Sequence, residues 1–139
     1  MRIVEFIVGG KPIAKGRVRF APHGGAYTPE RTVSYEGRVA AAAQEAMNGR
    51  PPVEAPVAVH LVARLPIPTS WPLKRQFAAE IGALLPKGRP DMDNYAKILD
   101  ALNHIVWVDD AQVCELHASK CYSNVPGLTI FVDALEELT

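Results

Sequence analysis

Five of the six aspartates in this sequence stand between Asp91 and Asp110, and a lysine, Lys97, stands among them. Carboxylate oxygens are the donors that hard divalent cations take, and Mg²⁺ commonly uses one or two of them together with water and substrate phosphate. Asp91 and Asp93 are the first candidate ligands, and one acid of the Asp109-Asp110 pair is a third if the chain folds back to that end. Lys97, one helical turn past Asp93, is a natural electrostatic partner for a phosphoryl transition state. Metal-assisted chemistry on a phosphate ester is what these residue types would do.

A helix must position them. Tyr95, Ile98, Leu99, Leu102 and Val106 recur at helical spacing and form a sustained apolar stripe. The spacing predicts a helix over 93–106, with Asp93, Lys97, Asp100 and His104 together on the opposite face. Asp91 and Asp93 would diverge by about 200° on a regular helix, so they converge only if Asp91 lies outside it as the N-cap after Pro90. Two carboxylates at one helix start repel each other, and a bound cation relieves that best. Each feature also has a structural counterpart. An Asp pair at a helix start serves as a cap, Asp-Asp in a turn is ordinary turn chemistry, and Asp93→Lys97 is a stabilising i,i+4 pair. Asp100 and His104 complete a solvated face, Trp107 between two valines reads as core, and His60 and His117 read as structural strand residues without partner spacing.

The remaining elements follow from periodicity and punctuation. Arg2–Val8 reads as a strand ended by Gly9-Gly10, and a long basic loop follows, with a small hairpin around His23-Gly24-Gly25. Thr28-Pro29 starts a helix that runs to about Asn48 and stops at Gly49. Val57–Leu65 is a second strand, and Ser70 caps a short helix over 71–81 carrying Lys74 and Arg75. Gln112–Tyr122 and Leu128–Ala134 are expected as an antiparallel hairpin turned at Ser123–Gly127. The order β–loop–α–β–α–α–β–β indicates a mixed α/β, more specifically α+β, architecture: one compact domain over 1–139, with helices packed on a mixed sheet.

At 48% hydrophobic and 22% charged residues the chain reads as globular, which excludes an intrinsically disordered class. No apolar run is long enough to span a bilayer and no basic-then-apolar leader opens it, so the expected location is the cytoplasm, with no membrane partner. Cys114 and Cys121 lie seven apart and face opposite ways in one strand, so reduced, buried thiols are expected. Net charge is zero, but residues 1–38 carry seven basic groups against three acids, and the remainder eight against twelve. A basic arm beside an acid cluster fits a polyanion held on one surface and a metal at another.

These residues also carry a resemblance. Arg89-Pro90-Asp91-Met92-Asp93-Asn94-x-x-Lys97, then Asp100-Ala-Leu-Asn103, then Trp107-x-Asp109-Asp110-Ala-Gln112-Val113 resembles the RusA-type Holliday junction resolvases. Lys11-Pro-x-x-Lys15-Gly-Arg17-x-Arg19-Phe20 with Tyr27-Thr28-Pro29 is similar to the basic N-terminal segment of phage and prophage members, and Ser70-Trp71 before Lys74-Arg75 agrees. The resemblance implies a homodimeric, Mg²⁺-dependent endonuclease, with Mn²⁺ as a substitute, that resolves four-way DNA junctions by paired nicks. It implies Asp91, Asp93 and Asp110 as metal ligands and Lys97 as the catalytic lysine. Asp100 stands three residues after that lysine where many members have four, so no role is carried onto it. Lys11, Lys15, Arg17, Arg19, Lys74 and Arg75 are the candidate DNA contacts; spaced basic residues on a loop suit backbone contact better than base reading. Two alternatives stay open: a nuclease for forks, flaps or other branched DNA, and a non-catalytic DNA-binding module whose acids are structural.

Overall fold

The computed structural model describes residues 1–17 and 19–138. Its elements are strands β1 (Arg2–Gly9), β2 (Arg19–Phe20) and β3 (Ala26–Tyr27), helix α1 (Glu30–Met47), strand β4 (Val57–Pro66) and helix α2 (Leu73–Glu80). Helix α3 (Met92–Ala96) continues directly into a 3₁₀ helix, Lys97–Leu102; a 3₁₀ turn, Asp110–Gln112, then leads into β5 (Val113–Ser123), and β6 (Gly127–Ala134) follows. β2 and β3 form the small expected hairpin, in which Gly24 and Gly25 adopt positive φ angles of 91° and 83° that side-chain-bearing residues avoid. The four long strands form one mixed sheet in the order β1-β6-β4-β5. The architecture is α+β, as the sequence indicates.

β5 and β6 do not pair as the expected hairpin. β4 lies between them, antiparallel to β6 and parallel to β5. The reason is burial: Val57, Val59, Leu61 and Ala63 are fully buried, which suits a central strand, whereas β5 carries exposed Cys114, Glu115, His117 and Ser119 and suits an edge. Parallel pairing of β4 with β5 needs a long crossover, and residues 67–112 supply it. That crossover contains the whole aspartate cluster. The exposure of Cys114 also departs from the expected burial; both cysteines are free thiols.

One face of the sheet is covered. The α1 stripe Thr32, Tyr35, Val39, Ala43 and Met47 packs with Val4, Phe6 and Val8 of β1, Leu128, Ile130 and Val132 of β6, and Tyr95, Ile98, Leu99 and Leu102 of the crossover. The apolar stripe expected for the 93–106 helix is therefore core. The helix itself differs: α geometry ends after Ala96, and the tighter 3₁₀ coil ends at Leu102 instead of 106. No glycine or proline stops it there. The chain reverses at Asn103, whose side-chain carbonyl accepts the Trp107 indole N–H at 2.6 Å, and His104 takes a φ of 67° in that turn. α1 ends as expected, with Asn48 at φ 50° and Gly49 at φ 80°. Its N-cap is Pro29, so the proline precedes the first helical position, and α2 is capped by Pro72 with no side-chain bond from Ser70. No helix is long and apolar enough to cross a membrane among the described residues.

On the other face, His60 stacks on His117 at 4.6 Å and on Phe131 at 4.2 Å, and Arg2 lies over the Phe131 ring at 4.1 Å. The two histidines do have partners, namely each other. Register places them side by side on β4 and β5, a proximity invisible to sequence spacing.

Candidate functional site

The segment entering α3 is held from the sheet. Lys120 of β5 donates its ammonium to the carbonyls of Gly88 and Pro90, at 2.7 and 3.1 Å, which fixes the approach to Asp91. Asp91 is the N-cap of α3 by backbone geometry, yet its carboxylate makes no capping bond and is exposed. Its oxygens are free for another ligand. Asp93, in the first turn, is also exposed and stands 3.8 Å from the Lys97 ammonium. Both partners of that pair are largely solvated, so the contact is weak and leaves Lys97 available to an anion.

The second acid pair sits in a clamped turn. Gln112 donates its amide to the carbonyls of Val53 and Ala55, while its side-chain oxygen accepts the backbone N–H groups of Val108 and Asp109. Trp107 is fully buried beside this turn. Asp109 caps the 3₁₀ turn by accepting the Ala111 N–H at 3.0 Å. That hydrogen bond holds the Asp109 carboxyl below its ordinary range, helped by a second one shared with Asp110. The shared hydrogen bond raises Asp110, with slight desolvation and the charges of Asp109 and Asp100 adding to it. Asp109 is thus occupied as a cap, and Asp110 is the acid of the pair left without a structural duty.

The basic loop divides in the structure. Lys11, Arg17 and Arg19 line a cleft of about 680 Å³ between the loop and the start of α1, with Tyr95 and Pro90 also on its wall. Arg17 also lines an adjoining cleft of about 330 Å³ together with Arg89, Asp91 and Asn94. Lys15 lines that smaller cleft as well, but its ammonium pairs with Asp100 at 3.2 Å and Glu36 at 3.8 Å. Burial pushes Glu36 above its usual range; Lys15 counters that and the charge of Asp100 adds to it. Lys74 and Arg75 are exposed on α2, where the Arg75 guanidinium covers the Trp71 ring at 4.2 Å, and they line neither cleft. Two basic residues were missed by the sequence reading. Arg31 lines the larger cleft from the first turn of α1, and Arg89 lines the smaller one beside Asp91. Arg89 stood in the motif and its adjacency to Asp91 was a usable signal; for Arg31 only its place just after Pro29 hinted at it.

Asp91 and Asp93 fit a hard cation in donor type and in the freedom of their oxygens. Among the described residues, however, no three Asp, Glu, His or Cys side chains stand close enough together to hold an ion. The turn carries Asp110 into electrostatic range of Asp100. Asp91 at the N-cap and Asp93 in the first turn are two exposed carboxylates at the start of α3.

The chain is 34% identical over 140 residues to the uncharacterized protein YqaN of Bacillus subtilis (strain 168), an alignment covering 95% of this chain and 96% of that relative. The family model described as endodeoxyribonuclease RusA matches residues 9–133, from the end of β1 to the end of β6, and so includes the basic loop, both acid pairs and Lys97. The protein belongs to the RusA family of endodeoxyribonucleases.

Proposed function

We propose that this nuclease is a cytoplasmic, Mg²⁺-dependent resolvase of four-way DNA junctions, working as a homodimer, with Asp91, Asp93 and Asp110 as metal ligands and Mn²⁺ as a substitute ion. The observation that carries the reading is that Arg17 lines both clefts. It joins a basic trough, formed with Lys11, Arg19 and Arg31, to the wall that contains Asp91. A DNA backbone lying in the trough leads to the Asp91 carboxylate, at the start of the helix that carries Asp93 and runs on to Lys97.

Bound at the carboxylates, Mg²⁺ would supply Lewis acidity toward the phosphate and a more acidic water. The chain's own residues do the rest. Arg17, Arg19, Lys11 and Arg31 hold the backbone and fix its register. Lys97 stabilises negative charge developing on the phosphoryl oxygens as water adds to phosphorus and the bond to the 3′ oxygen breaks. The products are a 3′-hydroxyl and a 5′-phosphate. One copy of the site makes one nick, so paired nicks on opposed strands require two copies related by a two-fold axis.

Lys97→Ala is expected to lower the single-turnover rate on a junction by about 100-fold with junction affinity nearly unchanged. Wild-type-like cutting by that variant would refute the role. Arg17→Ala and Arg19→Ala are each expected to flatten the slope of log affinity against log salt by about 0.9. An unchanged slope in both would move the DNA path elsewhere on the surface.

A further inference from the structure

Lys15 stands in the basic arm between Lys11 and Arg17, yet its surroundings differ from theirs. Its side chain is only 24% exposed, and its ammonium reaches the Asp100 carboxylate at 3.2 Å and Glu36 at 3.8 Å. Its backbone N–H donates to the Asn94 carbonyl at 2.8 Å, inside α3 between Asp93 and Lys97. The next residue continues the attachment: the Gly16 N–H donates to the buried Thr32 hydroxyl at 2.9 Å. A Cβ on Gly16 would come within 3.1 Å of both Pro29 and that hydroxyl, so the loop lies hard against the start of α1. Three elements therefore meet at Lys15: the arm, α1 through Glu36, and the acid-bearing crossover through Asn94 and Asp100. An ammonium already held by two carboxylates is less available to a phosphate than the ammonium or guanidinium groups on either side of it.

We propose that Lys15 is a positioning residue and not a phosphate contact: its ion pair with Asp100 and Glu36 seats the DNA-binding arm on the segment that carries Asp93 and Lys97. Asp100 thereby acquires a role, as the acceptor of that seat. The functional half of this inference rests on the nuclease reading above. The structural half, the coupling of Lys15 to Asp100, does not.

The test uses the full-length protein with Lys15→Met, Lys15→Arg, Asp100→Asn and the Lys15→Met/Asp100→Asn double variant. Asp100 is half exposed, so its Asn variant keeps the fold available if Lys15→Met is poorly folded. Amide hydrogen exchange is measured over residues 14–17, alongside kcat and KM for junction cleavage and the salt dependence of binding. The expected result is faster exchange at Lys15 and Gly16 in both Lys15→Met and Asp100→Asn, and a double variant no worse than the worse single one. A loss of about tenfold, carried mainly by kcat, is expected in each, and Lys15→Arg restores most of it. The inference is overturned if Lys15→Met leaves exchange unchanged and flattens the salt slope by about 0.9, while Asp100→Asn binds DNA more tightly. Absence of junction cleavage by the wild-type protein would sink the nuclease reading alone, because the exchange measurement decides the seat independently.

Discussion

Asp93→Asn should lower Mg²⁺-supported cleavage of a four-way junction by about 1000-fold or more while DNA affinity stays level or rises. The substitution keeps the size and one oxygen of the side chain but removes its charge. Asp93 is exposed, caps nothing and holds only a loose pair with Lys97, so the fold has no stake in the carboxylate. Affinity is free to increase because a negative charge close to a polyanion is gone. Equal melting temperatures for variant and wild type would place the loss in the chemistry. Undiminished cleavage by the Asn variant would remove Asp93 from the site.

Trp107→Ala has the largest expected effect on stability, about 3–5 kcal/mol by urea unfolding. Trp107 is fully buried and is the largest such side chain in the core, so truncation leaves a cavity that its β-sheet and helix neighbours cannot easily close. Its indole N–H also satisfies Asn103 at 2.6 Å, and losing that donor strands an acceptor in the turn that ends the 3₁₀ helix. Against a typical total of about 5–15 kcal/mol, the loss is severe. A Tm decrease of about 10 °C or more should accompany it. Below the new transition, cleavage should still fall, since the same turn delivers Asp110. A loss under about 1 kcal/mol would mean that the tryptophan is not the core element described.

Much of the candidate site was legible because its signals are local. The i,i+3,i+4 spacing of Tyr95, Ile98, Leu99 and Leu102 set which side of the crossover is buried, and so which side presents Asp93 and Lys97. Pro90 before Asp91 implied a carboxylate outside the helix, and the N-cap geometry of Asp91 agrees. The sequence marked Val57–Leu65 and Gln112–Tyr122 as strands, but not that β4 would insert between β5 and β6. Which strand takes the centre is decided by burial against the covering helices and neighbouring strands, which is a property of the assembled sheet. The end of the 3₁₀ helix was hidden for the same reason: its stop is a contact between Asn103 and Trp107, not a glycine or proline. Lys15 shows the limit most plainly. In sequence it is one of several spaced basic residues; its acceptors, Glu36 and Asp100, lie on two other elements, and only the packing of three segments brings them to it.

The central claim is tested most directly by incubating the protein with a labelled synthetic four-way junction, beside linear duplex, fork and flap controls, in Mg²⁺ and in EDTA. The account predicts paired symmetric nicks on the junction, no comparable cutting of the controls, and no cutting in EDTA. Cleavage of forks or flaps as readily as the junction would contradict the substrate assignment. Binding without cleavage of any substrate in Mg²⁺ or Mn²⁺, by a folded dimer, would contradict the proposed metal-dependent nuclease chemistry of Asp91, Asp93 and Asp110.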